Sequence, residues 1–104
     1  MYIMLTACYP PSKTDEVVKK YMEVIEQFPP DESIAAPVFP GGVWADDKGI
    51  NSVQISEVKE GKFKEAMMRI ARAAAQYRNI EGYRYHIRTL IGPEDALSIV
   101  GAGS

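Results

Sequence analysis

The chain has 104 residues, 46% of them hydrophobic and 25% charged, with a formal net charge of −2. That length supports one domain spanning 1–104 with one core, and the missing basic excess argues against a nucleic-acid partner. One Cys and one His exclude an internal disulfide and a four-ligand zinc site. No apolar run approaches the ~18–20 residues that span a bilayer. No membrane partner, metal or cofactor is therefore expected, and the cysteine usage points to a reducing, cytoplasmic location.

Residues 2–9 read as the first strand, with Ile3, Leu5 and Ala7 on one side and Tyr2, Met4, Thr6 and Cys8 on the other. The segment is short and has no basic leader, so a strand fits better than a signal peptide. Pro10 and Pro11 end it, because proline donates no amide hydrogen to a ladder. A helix follows, capped by Ser12 or Thr14, with Asp15 and Glu16 in the first turn where the helix dipole favours acids. Val17, Val18, Tyr21, Met22, Ile25 and Phe28 recur at spacings of three and four and make one apolar stripe. Pro29 and Pro30 stop it.

Residues 31–45 are ambiguous: they carry Pro37, Pro40, Gly41 and Gly42, which an interior strand tolerates badly but an edge strand, or an irregular approach to one, can hold. Val43, Trp44 and Ala45 are their most strand-like part. Asp46-Asp47-Lys48-Gly49 reads as a hairpin turn with Gly at the position needing positive φ. The third strand is predicted over 50–58, with Val53 and Ile55 on one face and Ser52, Gln54 and Ser56 on the other. A second helix over 62–78 sets Phe63, Ala66, Met67, Ile70, Ala71, Ala74 and Tyr77 on its apolar face. The small side chains of Ala73, Ala74 and Ala75 admit a close neighbour. A fourth strand spans 83–91, and Gly92-Pro93-Glu94-Asp95 opens a short terminal helix.

The order β-α-β-β-α-β is the ferredoxin-like, α+β arrangement: a four-stranded antiparallel sheet with two helices on one face, here with a short C-terminal helix added. In strand order four-one-three-two, the proline-bearing second strand lies at an edge. The apolar sets Ile3/Leu5/Ala7, Val53/Ile55 and Tyr83/Tyr85/Ile87 are expected under the helices. The open face then holds Tyr2, Met4, Thr6, Cys8, Ser52, Gln54, Ser56, Arg84, His86, Arg88 and Trp44.

Arg84, His86, Arg88, Gln54 and Trp44 are the candidate ligand-binding residues. Guanidinium matches carboxylate geometry and imidazole adds a donor. Arg84 and Arg88 stand about 13 Å apart along a strand, so one arginine at most joins His86 around a small anion. The competing reading is cross-strand or intersubunit pairing with Glu57, Asp46 or Asp47. His86 is the one candidate general base, but no nucleophile is fixed beside it. Cys8 reads as a small buried hydrophobe, and the aromatic residues as core.

The segment Gly42-Val43-Trp44-Ala45-Asp46-Asp47-Lys48-Gly49, followed by an alternating strand ending Glu57-Val58, resembles small uncharacterised bacterial families of the dimeric α+β barrel superfamily. The resemblance implies a homodimer packed sheet to sheet, with small organic ligands, anionic or aromatic, between helices and sheet or within the barrel. That superfamily includes cofactor-independent monooxygenases, isomerases, haem-degrading enzymes and ligand sensors. Haem-degrading members carry a helical haem-ligating His, whereas His86 is predicted on a strand, so that activity is not carried over. Small-molecule binding is the leading expectation. A cofactor-independent monooxygenase or isomerase with His86 as proton acceptor is the first alternative, and a structural or protein-interaction module without ligand is the second.

Overall fold

The computed structural model describes residues 1–101, so the last three residues of the expected 1–104 unit lie outside the described residues. The elements are β1 (Tyr2–Tyr9), a 3-10 turn (Pro11–Lys13), α1 (Thr14–Gln27), β2 (Ala35–Asp46), β3 (Gly49–Val58), α2 (Phe63–Ala75), β4 (Arg84–Leu90) and α3 (Pro93–Ile99). All pairings are antiparallel, in the order β2-β3-β1-β4. The ferredoxin-like α+β expectation is borne out, including the proline-bearing strand at an edge. Register shifts between Pro37 and Phe39 and between Phe39 and Gly42 absorb the prolines and glycines of β2.

Two helix details differ from expectation. The hydroxyl of Thr14 donates back to the carbonyl of Pro11 at 2.7 Å, and no side chain caps α1. The second helix ends at Ala75, and residues 76–79 continue as turns, in which the amides of Gln76, Tyr77 and Arg78 reach back three residues.

The register fixes the faces. Ile3, Leu5, Ala7 and Tyr9 stand opposite Ser56, Gln54, Ser52 and Ile50 on β3, and Ile3, Leu5 and Ala7 stand opposite Thr89, Ile87 and Tyr85 on β4. Directly opposed residues share a face. The helix-facing side therefore carries Ser52, Gln54 and Ser56, while Val53 and Ile55 share the open side with Thr6 and Met4. This inverts the expectation for β3. The hairpin explains it: Asp46 pairs with Gly49 and Tyr9 with Ile50, so Ile50 joins Tyr9 under the helices and every second residue after it follows.

The core sits where the helices meet the Tyr9 end of the sheet. Tyr9, Val17, Val24, Tyr77 and Ile80 are buried together, with Phe28, Ile50, Ala73 and Tyr83 packed on them. Ala66 and Ala74 are both 2% exposed, so α2 approaches its neighbours closely, as its small side chains suggested. Elsewhere α1 covers little: Val18, Tyr21, Met22 and Ile25 remain exposed. The Cα radius of gyration is 15.4 Å, against about 13 Å for a compact chain of this length. No helix among the described residues is long and apolar enough to cross a membrane.

Candidate functional site

Two surfaces flank the sheet. On the helix side lies a groove of about 1040 Å³. Its sheet wall includes Leu5, Ala7 and Tyr9 from β1 and Ser52, Gln54 and Ser56 from β3. Val18, Tyr21 and Ile25 reach it from α1, Ile70 and Ala73 from α2, and Tyr77 from the turn that follows α2. One wall thus offers hydroxyls and an amide, and the others offer aliphatic and aromatic surface. Arg69 lines the groove and donates to the carbonyl of Pro29, tying α2 to the segment that follows α1. A guanidinium carries five donors, so others remain for a ligand.

Tyrosines close one end. Tyr77 and Tyr83 stack at 4.7 Å between ring centroids, and Tyr9 lies 6.1 Å from Tyr83, each pair within 10° of parallel. Burial pushes the Tyr77 hydroxyl up to about 12, with the neighbouring Tyr21 and Tyr9 adding to it. Burial also raises Tyr83 and Tyr9 above the ordinary range. These hydroxyls stay protonated at neutral pH, and all three tyrosines line the groove.

The open face carries the cation column. Arg84, His86 and Arg88 stand opposite Cys8, Thr6 and Met4. Arg84 donates to Cys8 Sγ at 3.8 Å, and Arg88 to Thr6 Oγ1 at 3.3 Å. All three residues are exposed. The expected cross-strand pairs with Glu57, Asp46 or Asp47 do not form within the chain. Among the described residues the ion pairs are Lys13–Glu16 at 3.2 Å and Lys20–Glu23 at 2.9 Å, both on the surface. Arg84 does share a shallow hollow of about 420 Å³ with Asp46, Asp47 and Lys48. Asp46 is held below its ordinary range chiefly by the Lys48 amide, which donates to it at 2.9 Å.

The five residues singled out from the sequence are therefore not one cluster. Trp44 lies on the open face, opposite Asn51, in a row that continues through Cys8 to Arg84. Three strand spacings of ~4.8 Å separate the two ends of that row by about 14 Å. Gln54 faces the opposite way, into the groove beside Leu5. The groove residues Ser52, Ser56 and Arg69 were missed. The available signal was Ile50, whose parity conflicts with that of Val53 and Ile55 and leaves the inner face of β3 undecided from its own pattern.

No family model matches this chain, and no curated protein matches it. Among solved structures it is similar to a formyltetrahydrofolate deformylase from Pseudomonas putida KT2440, with TM-score 0.46 and 13% identity over 86% of this chain and 28% of that one. It is also similar to an unknown protein from Galdieria sulphuraria, with TM-score 0.45 and 9% identity over 89% of this chain and 47% of that one. A third is an uncharacterized NIPSNAP domain protein from Burkholderia xenovorans, with TM-score 0.39 and 18% identity over 89% and 97%. The chain spans less than half the length of the first two. Its ferredoxin-like assignment rests on its own element and strand order.

Proposed function

We propose that this chain is a small homodimeric α+β barrel protein that binds a small organic molecule in the groove between helices and sheet. The observation that carries the reading is the groove's division. Tyr21, Tyr77, Ile25 and Ile70 offer apolar surface to a planar body, while Ser52, Gln54, Ser56 and Arg69 offer donors to its polar or anionic end. Concave, mostly apolar sites with a few convergent polar groups are the usual form of small-molecule pockets. Of the residues expected to hold ligand, Gln54 stays with this site. Trp44, Arg84, His86 and Arg88 go to the open face, which we assign to self-association.

Surface area supports the dimer. The chain exposes 7204 Å², against roughly 5800 Å² for a compact monomer of its mass. The excess is more than the ~800 Å² each partner buries in a standard interface. A monooxygenase- or isomerase-like reaction through His86 has less support: the imidazole lies on the side away from the groove, with Thr6 opposite it rather than an acid.

The test is a thermal-shift and native mass-spectrometry screen with aromatic carboxylic acids on wild type, Gln54→Trp and His86→Ala. Gln54 is exposed on a strand, so tryptophan there fills the groove without disturbing the core. Binding to wild type and His86→Ala but not to Gln54→Trp is expected. The reverse pattern moves the ligand to the open face, and no shift in wild type removes the proposal.

A further inference from the structure

Every residue from Pro93 to Val100 is exposed, and Leu97, Ile99 and Val100 are 49%, 75% and 74% exposed. A seven-residue helix does not persist in water on its own propensity, and stability of such pieces comes from packing an amphipathic face. Among the described residues, α3 buries none of its side chains. Its position shows which surface it addresses. Gly92 stands against the Tyr2 ring, where an added Cβ would lie 3.5 Å from Cε2. Tyr2 shares the open face with Glu57 and Leu90, so the chain leaves β4 on that side of the sheet.

The open face is complementary to α3 in both chemistry and charge. It presents Met4, Val53 and Ile55 beside the column Arg84, His86 and Arg88. α3 and its C-terminal cap present Leu97, Ile99 and Val100 behind Glu94 and Asp95. None of these charged residues has an ion-pair partner among the described residues.

We infer that α3 is an exchanged arm: it docks on the open sheet face of a second copy, placing its apolar side chains on Met4, Val53 and Ile55 and its acids against the arginine column. This rests on the homodimer reading and adds to it the element that seals the interface. Opposite charges across an interface fix register and suppress wrong docking, which a face of only half-apolar strands needs.

The experiment is sedimentation velocity and light scattering on the full chain at micromolar concentrations. Four variants are compared with wild type: Leu97→Asp/Ile99→Asp, Arg84→Glu/Arg88→Glu, Glu94→Lys/Asp95→Lys, and the two charge changes combined in one chain. All six positions are exposed in the single chain, and circular dichroism confirms that each variant folds. The apolar-to-acid variant is expected to weaken the dimer about tenfold or more. Each charge change alone is expected to weaken it, and an equimolar mixture of the two to restore association. A dimeric wild type with an unaffected Leu97→Asp/Ile99→Asp variant overturns the arm and leaves the dimer standing. Rescue only when both charge changes sit in one chain means docking on its own sheet and overturns exchange. A monomeric wild type overturns the dimer and the arm together.

Discussion

Tyr77 and Tyr83 stack with ring centroids 4.7 Å apart, joining the turn after α2 to the segment entering β4. Burial raises the Tyr77 hydroxyl to about 12 from its ordinary 10.0, and raises Tyr83 and Tyr9 in the same direction. Tyrosine is neutral when protonated, so a raised folded value means that the native state holds its proton longer. The contribution is full below pH 10, where both states are protonated. It is lost as pH climbs towards 12, because the unfolded state ionises first. For Tyr77 alone the loss is on the order of 1–2 kcal/mol once solvent screening is allowed for. Urea midpoints should fall steeply above pH 10 in wild type and less steeply in Tyr77→Phe. Absorbance titration should show three of the six tyrosines ionising late.

The β2–β3 hairpin depends on one backbone conformation. Gly49 has φ of +129°, and a Cβ there would collide with the carbonyl oxygen of Tyr9. Both the left-handed φ and the close approach exclude a side chain. Gly49→Ala should destabilise the fold by at least about 2 kcal/mol, read as a drop in the urea midpoint. Gly61→Ala has only the φ penalty, with open space around its Cβ, and should cost less.

Element order was legible because each element carries its own signal. The alternation of β1 and the turn residues at Asp46–Gly49 are local, and the structure reproduces them; α1 forms where its spacing predicts, but only Val17 and Val24 are buried on it, while Val18, Tyr21, Met22 and Ile25 of the expected stripe stay exposed. The inner face of β3 is different in kind. Val53 and Ile55 look like core residues, yet the pairing of Tyr9 with Ile50 sets the parity of the whole strand. A strand with apolar residues on both parities does not declare its inner face by itself. The consequence reached the candidate site: Gln54 was grouped with Arg84, His86 and Arg88 although the sheet lies between them. The groove was invisible for a related reason. It depends on how far α1 stands off the sheet, and spacing along a helix carries no information about that distance.

The two faces should respond differently to truncation. Ile3, 1% exposed, is the largest fully buried side chain, whereas Ile55 is half-buried on the open face. Ile3→Ala should lower unfolding free energy by about 2–5 kcal/mol, with the self-association of whatever remains folded unchanged. Ile55→Ala should cost less stability and weaken self-association. Denaturation at low concentration, where monomers dominate, separates the two effects from sedimentation at high concentration.

The register itself can be tested with a single substitution, because Cys8 is the chain's one thiol. Cys8 stands directly opposite Asn51 on the open face. Opposed residues on antiparallel strands have Cα atoms about 4.5–5.5 Å apart, within the 4.4–6.8 Å range that a disulfide spans. Asn51→Cys should therefore close a cross-strand bridge under mild oxidation, leaving no titratable thiol and a mass lower by two hydrogens. Ser52→Cys points its thiol into the groove, away from Cys8, and should retain two free thiols under the same conditions. The opposite result would restore the parity expected from the apolar pattern of β3. It would also return Gln54 to the company of the cations and empty the groove wall of its polar groups.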